Sequence, residues 1–144
     1  SGVRTMPVEA TENVAPVIFW TKELRPDSAG AGKTRGGAGQ IMVIGTKGDA
    51  EFAVNAIFDR VANAPRGRFG GGDGAAGAVL LDDGTVLRTK GFQIIPEGRR
   101  LVLHLPGGGG MGNPRERDPA LVKRDVADGL VSKEAASRLY GVTV

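Results

Sequence analysis

The sequence predicts an α+β fold, in which a β-rich domain with long glycine-rich loops is followed by two short C-terminal helices. Short apolar runs recur through the chain, and they contain the β-branched and aromatic residues typical of strands. The 24 glycines exceed twice the usual share of about 7% and lie in bursts between those runs. At 144 residues, 40% of them hydrophobic, the chain suits a single domain over residues 1–144 with a real core.

Three apolar runs predict strands in the first half of the chain. Residues 14–24 are expected to form a strand entered from a loop, because Pro16 stands near the start of a β-branched and aromatic run. Residues 40–45 suit a short buried strand. Residues 50–58 alternate with the two-residue period of a half-buried strand, with one face made of Phe52, Val54, Ala56 and Phe58 and the other of Glu51, Ala53 and Asn55.

The second half is predicted to contain a loop, a hairpin and a further strand. Residues 62–78 carry Pro65 and many glycines, which predicts a second long loop with little internal packing. Residues 79–88 predict a hairpin, because Asp83-Gly84 supplies the positive φ angles of a tight turn. Leu101 to Leu105 predicts a short strand that ends at a proline and four glycines.

Capping residues predict two helices near the C-terminus. Asp118 followed by Pro119 is typical of an N-cap with proline at the first helical position, and Gly129 is expected to end that helix. Ser132 is expected to cap a second helix that ends at Gly141.

Composition and charge exclude several classes of function. The net charge is +3, but 19 basic residues are dispersed among 16 acidic ones and few aromatic residues accompany them, so no nucleic-acid partner is predicted. The lack of cysteine excludes disulfides and thiolate zinc sites and fits the cytoplasm. The apolar runs are far shorter than the roughly twenty residues of a membrane helix, so no membrane partner is expected.

The first residue, Ser1, leaves three explanations open. Self-cleavage would produce an N-terminal serine whose hydroxyl is activated by its own α-amino group. A cloned boundary or a proteolytic nick would leave the same residue.

The tripeptide Gly32-Lys33-Thr34 suggests a phosphate-binding loop, but its surroundings argue against one. The first glycine of that motif would fall at position 27, which is Asp27, and a carboxylate there would repel phosphate. The motif also needs a helix after it, whereas Arg35 is followed by closely spaced glycines, each of which costs a helix roughly 1 kcal/mol relative to alanine. No helix is therefore expected to start here.

A few residues are candidates for chemistry. His104 is the only histidine; it either exchanges protons near neutral pH or is a half-exposed strand residue. Asp27 and Arg35 lie in flexible backbone, and Arg35 offers a two-pronged contact to a carboxylate or phosphate; the alternative is a solvated loop. The run Gly107, Gly108, Gly109 and Gly110 would let a substrate approach the main chain or form an anion nest, or it connects to the terminal helices.

Two long stretches carry a family resemblance. The first reads ELRPDSAGAGKTRGGAGQ, and the second reads LPGGGGMGNPRERDPALVKRDVADGLVS. In both order and content they are similar to the C-terminal part of the hydantoinase B/5-oxoprolinase family, whose motifs are ELRPDSGGAG-x-x-RGG-x-GQ and LPGGGG-x-G-x-P-x-x-RDP, followed by DV-x-x-G-x-VS. The resemblance covers nearly the whole chain, and it makes the GKT tripeptide a coincidence, since Lys33 and Thr34 stand at variable motif positions.

The resemblance implies part of an ATP-dependent cyclic amide hydrolase that opens rings such as 5-oxoproline or N-methylhydantoin. ATP and Mg²⁺ would be held by an actin-like hydantoinase A subunit, which phosphorylates the amide oxygen before the B part completes hydrolysis. Asp27, Arg35 and the four glycines would contact substrate or phosphate. His104 is a weak catalytic candidate, and the chain alone would be inactive.

Two departures and two alternatives accompany this expectation. Family B subunits are several times longer, and the resemblance implies that their metal-binding His and Asp residues lie upstream. No metal site is therefore expected here, and a divalent metal would be expected in the N-terminal remainder of the subunit. Ala29 stands where the family often has glycine. The alternatives are a portion of an acetone or acetophenone carboxylase-like enzyme and a non-catalytic assembly domain of the B subunit.

Overall fold

The computed structural model describes residues 6–144, and its larger sheet is antiparallel. Its four strands lie in the order β1-β2-β6-β4, and their bounds are Val17–Leu24 (β1), Gln40–Thr46 (β2), Ala78–Leu81 (β4) and Leu101–His104 (β6). Strand β6 is central, since Leu103 pairs with Met42 on one side and with Val79 on the other. Ser1, and with it the question of self-cleavage, lies outside the described residues.

A second, two-stranded sheet joins β3 (Phe52–Ile57) to β5 (Lys90–Ile95). Its inner face carries Phe52, Val54 and Ile95, which pack in one core with residues of the larger sheet. Ile95 and Val79 are almost fully buried in that core. The alternation predicted for residues 50–58 is confirmed, because Ala53 and Asn55 are exposed.

Helices lie at both ends of the chain, with α1 at Val8–Val14, α2 at Pro119–Ala127 and α3 at Lys133–Ala135. The predicted caps are confirmed: Asp118 accepts a hydrogen bond from the Ala120 N–H, and Ser132 accepts one from the Ala135 N–H. Helix α3 continues as a π-helical turn, Ala136–Tyr140, and ends at Gly141 with φ 73°. These C-terminal elements enclose a second apolar core with Val122, Ala136 and Tyr140.

Three glycine-rich segments, 27–39, 65–77 and 106–112, pack against one another as a single unit, here called the glycine bundle. Its hydrogen bonds run from backbone to backbone and link all three segments: the Gly30 N–H donates to the Gly108 carbonyl (2.8 Å), the Gly110 N–H to Gly72 (2.9 Å), and the Gly72 N–H to Ala31 (2.7 Å). Main-chain N–H and carbonyl groups that are removed from water are thereby hydrogen-bonded, although these segments do not form a regular sheet.

The bundle depends on the absence of side chains. A Cβ atom on Gly36 would lie closer than 3.0 Å to the Gly108 carbonyl, and one on Gly107 would meet the Ser28 carbonyl in the same way. The same holds for Gly30, Gly39, Gly67, Gly71, Gly74, Gly109 and Gly110, all against backbone atoms. Ser28, 1% exposed, fixes one end of the bundle, since its Oγ donates to the Arg25 carbonyl and accepts from the Gly39 N–H.

Most predicted elements are confirmed, and three expectations need correction. The predicted strand begins at Val17 rather than residue 14, because residues 8–14 form α1. The hairpin turn at Gly84 is present with φ 87°, but its second arm makes only an isolated bridge at Val86, and the chain goes on to β5, which was not predicted. The expectation of little internal packing for residues 62–78 is wrong, since Gly67 lies against the Gly71 carbonyl and the Gly74 N–H donates to the Pro65 carbonyl at 2.9 Å.

The close approach in the glycine bundle predicts a contrast between two adjacent glycines. Gly36→Ala should lower the free energy of unfolding by about 3 kcal/mol, because the added methyl group overlaps backbone that cannot rotate away. Gly37→Ala should change it by less than about 1 kcal/mol, since open space surrounds that position and its φ lies outside the left-handed region. Urea denaturation of the two variants measures the difference, and equal stabilities would contradict tight packing.

Candidate functional site

Three charged side chains meet where the glycine bundle contacts the C-terminal helices; they are here called the charge clamp. Arg35 comes from the first glycine segment, Arg117 precedes α2, and Asp125 lies on α2. The Arg35 Nε is 3.1 Å from Asp125 Oδ2, and the Arg117 Nη2 is 2.9 Å from the same oxygen. Asp125 is only 7% exposed, so its charge is compensated by the two guanidinium groups rather than by water.

Both arginines also bond to the glycine bundle. The Arg35 Nη1 donates to the Gly36 carbonyl at 2.8 Å, and the Arg117 Nη1 donates to the Lys33 carbonyl at 3.3 Å. Through these two arginines, the Asp125 carboxylate on α2 is linked to two backbone carbonyls of the first glycine segment. Tyr140 lies nearby, and burial raises the pKa of its hydroxyl, so this group is protonated at neutral pH.

Asp27 makes a second link between the same two parts of the molecule. Its Oδ1 accepts a hydrogen bond of 2.8 Å from the Ser132 N–H, and its own N–H donates to the Leu130 carbonyl at 3.0 Å. Asp27 adopts φ 53°, in the left-handed region that aspartate tolerates better than most residues. The side chain is therefore directed at the start of α3.

The four glycines named as candidates lie inside the bundle, each against backbone of this chain. Gly107 faces the Ser28 carbonyl, Gly109 the Arg66 carbonyl and Gly110 the Ala31 carbonyl, and Gly108 lies beside Gly37. Asp27, Arg35 and these glycines are thus brought together in one region, with their principal contacts made to other residues of the chain. These contacts do not test whether substrate also reaches them, and that role stays a prediction.

His104 lies apart from the charge clamp, at the end of β6. It lines a small cleft beside Asp59, Val61 and Pro106. Burial lowers the pKa of the imidazole below its ordinary 6.5, and the positive charge of Arg25 lowers it further. His104 is therefore neutral at pH 7, and Asp59, the carboxylate in this cleft, is paired with Lys90 at 2.6 Å.

The segment Gly32-Lys33-Thr34 does not have the structure of a phosphate-binding loop. Thr34 forms a bridge with Met111 instead of starting a helix, and Lys33 lies 3.5 Å from Glu116. In residues 6–144 no group of three or more His, Asp or Glu side chains is placed to hold a metal. Nor does any helix in that range have the length and apolar character to cross a membrane.

Sequence reasoning selected Arg35 and Asp27 but missed Arg117 and Asp125. The signal that would have found them is in the quoted motifs: Arg117 belongs to the RDP motif, and Asp125 opens the DV-x-x-G-x-VS motif. Ser132 closes that last motif and bonds to Asp27. Motif residues far apart in sequence are therefore partners in space, which single-motif interpretation could not show.

The charge clamp predicts a contrast between two aspartates of the same helical region. Asp125→Asn should lower the free energy of unfolding by about 3 kcal/mol, because two poorly hydrated guanidinium groups lose their carboxylate. Asp128→Asn is the matched control; its exposed pair with Arg124 at 3.6 Å should contribute at most about 0.5 kcal/mol. Chemical denaturation gives both values, and a small effect of Asp125→Asn would show that the clamp does not stabilise the fold.

Comparison with known proteins agrees with the motifs. A family model for hydantoinase B/oxoprolinase matches residues 1–114. The B subunit of a putative D-/L-hydantoinase from a Pseudomonas species, strain NS671, is 35% identical over 153 residues, covering 100% of this chain and 25% of that protein. The chain spans 25% of the length of three of the curated relatives that it matches and 9 to 10% of the length of three others.

Two solved structures share the fold. The crystal structure of the ATP-dependent caprolactamase from Pseudomonas jessenii superposes with a TM-score of 0.81 at 28% identity, over 96% of this chain and 25% of that one. A nucleotide-free acetone carboxylase structure superposes with a TM-score of 0.65 at 20% identity, over 94% of this chain and 23% of that one, and so shares the fold alone. With the family match over most of the chain, this protein belongs to the hydantoinase B/oxoprolinase family.

Proposed function

We propose that this chain is the C-terminal portion of a hydantoinase B-type subunit in an ATP-dependent cyclic amide hydrolase, and that it serves the subunit as an assembly domain. Family membership and the similarity to hydantoinase and caprolactamase subunits support the enzyme class, since hydantoins and caprolactam are cyclic amides. The ring opened by this enzyme would be of the 5-oxoproline or N-methylhydantoin type.

The chemistry explains why ATP is needed. A ring amide is a poor electrophile, and transfer of the γ-phosphoryl group from ATP to its oxygen, with release of ADP, activates the carbonyl carbon. Water would add to that carbon, and the ring C–N bond would break as the nitrogen leaves with a proton. A second water molecule would then attack the carbonyl carbon of the resulting acyl phosphate and release the carboxylate and inorganic phosphate. An actin-like hydantoinase A partner would hold ATP and Mg²⁺ and carry out this transfer in the cytoplasm. Because residues 6–144 hold no group of three or more His, Asp or Glu side chains placed for a metal, we assign any divalent metal to the upstream part of the subunit.

One observation supports the assembly role: the candidate side chains of Arg35 and Asp27 already bind other residues of this chain. The Arg35 guanidinium binds Asp125 and the Gly36 carbonyl, and the Asp27 carboxylate binds the Ser132 N–H. Direct substrate contact by Asp27 or Arg35 would have to use polar atoms other than those already bonded, and contact with Gly107 to Gly110 would require the surrounding backbone to open. An assembly domain needs no such change, and close contact between chain segments explains the glycines equally well.

The second candidate is a carboxylase that joins a phosphorylated carbonyl compound to bicarbonate. Its support is the fold shared with acetone carboxylase. Both reactions begin with phosphorylation of a carbonyl oxygen, and they differ in the step that follows. In the hydrolase water adds to the carbonyl carbon. In the carboxylase the carbon beside the carbonyl, as its enol phosphate, would form a C–C bond to the carbon of bicarbonate, and the oxygen that bicarbonate loses would leave as inorganic phosphate.

The test uses the natural subunit that contains this chain, purified with its hydantoinase A-type partner. With 5-oxoproline or a hydantoin labelled with ¹⁸O at the reacting carbonyl, the hydrolase should release the label in inorganic phosphate, because the phosphorylated oxygen leaves with phosphorus. Product formation should require ATP but not bicarbonate. Bicarbonate-dependent formation of a carboxylated product would instead support the carboxylase, and ATP-independent hydrolysis would contradict both.

A variant in the same complex separates assembly from substrate contact. Arg35→Ala should loosen the domain that the subunit needs for assembly, and so weaken subunit association on a sizing column. The assembled fraction should keep its KM, because the lost contact lies within the chain and does not involve the substrate. Loss of turnover or a raised KM in a complex that remains fully assembled would instead place Arg35 at the substrate. Arg124→Ala, which removes only an exposed partner of Asp128, is the control.

A further inference from the structure

We propose that the outer face of the two-stranded sheet β3–β5 is the docking surface for the remainder of a family-length hydantoinase B-type subunit. The inference rests on the proposed function in one respect, since it takes this chain to be one part of such a subunit. It assigns to that surface an intramolecular partner that is apolar and uncharged.

The outer face is built by the register of the two strands. Ala53 lies opposite Ile94, and Asn55 lies opposite Phe92. Ile94 is 55% exposed, Phe92 62% and Ile57, at the end of the same face, 73%. Three large apolar side chains on one side of a sheet of six residue pairs form a contiguous patch, which distinguishes this face from scattered exposed residues.

The inner face of the same sheet, unlike the outer face, is packed against the rest of the chain. Phe52, Val54 and Ile95 pack into the larger core, so one side of each strand is already used. Neither β3 nor β5 pairs with any other strand within residues 6–144. A two-stranded sheet is marginally stable by itself, and a second layer over its outer face would stabilise it further.

The chemistry of the patch favours a permanent occupant from the same subunit. Its centre, made of Ala53, Asn55, Phe92 and Ile94, carries no charge, and the charged residues lie at its ends, with Glu51 at one end and Lys90, paired with Asp59, at the other. Interfaces that form and dissociate are about as polar as ordinary surface, whereas permanent ones resemble a core cut in half. About three quarters of the length of two relatives lies outside the part matched by this chain, and that is enough chain to provide the second layer.

Thiol labelling in the natural subunit tests the proposal, because this chain has no cysteine of its own. Asn55→Cys places a thiol in the centre of the face, and Val86→Cys places one at an exposed position off it, 78% exposed. With thiols elsewhere in the subunit replaced or mapped by mass spectrometry, maleimide labelling of position 55 should be slower than that of position 86 by at least about tenfold, a protection of about 1.4 kcal/mol. In urea the two rates should converge.

Each outcome of the thiol-labelling experiment either supports the docking surface or contradicts it. Protection of position 55 in the monomeric subunit without its partner supports the proposal. Equal labelling at both positions overturns it, as does protection that appears only when the hydantoinase A-type partner is added or only at concentrations that produce dimers. Labelling requires no catalysis, so protection in a subunit that fails to hydrolyse cyclic amides would overturn the proposed activity and leave the docking surface standing.

Discussion

The structure depends on the close approach of three backbone segments in which 16 of 33 residues are glycine. Ordinary cores are stabilised by buried apolar side chains, but the glycine bundle leaves no space for a methyl group at Gly30, Gly36 or Gly110. Its cohesion comes from main-chain hydrogen bonds and from contact between peptide groups. Glycine loses more conformational freedom on folding than any other residue, so this arrangement needs support from its surroundings.

That support comes from two apolar cores on either side and from charged links between them. Val79, Ile95 and Leu103 belong to the core beside the sheets, and Val122 and Tyr140 to the core between the C-terminal helices. Asp125 joins the bundle to the helices through two arginines, and Asp27 does so through a backbone N–H. Arg35, which suggests anion binding when the sequence is considered alone, thus links the glycine bundle to the C-terminal helices.

The sequence allowed prediction of those elements whose cause is local. Caps at Asp118 and Ser132, the turn at Gly84 and the alternation in β3 depend on neighbouring residues. Strand β5 and the packing of residues 62–78 depend on partners far along the chain, so local patterns did not reveal them. The family motifs predicted the membership correctly, while the pairing of Arg35 with Asp125 required the three-dimensional structure.

Hydrogen exchange at single amides tests most directly whether the glycine bundle is part of the stable core. Gly30, Gly72 and Gly110 donate to backbone carbonyls of neighbouring glycine segments. If the bundle is a core, their amides should exchange only through global unfolding, at rates equal to those of Leu103 in the central strand. Exchange at those glycines close to the rate of an unstructured peptide, with Leu103 still protected, would show that the segments are loops and would contradict this account.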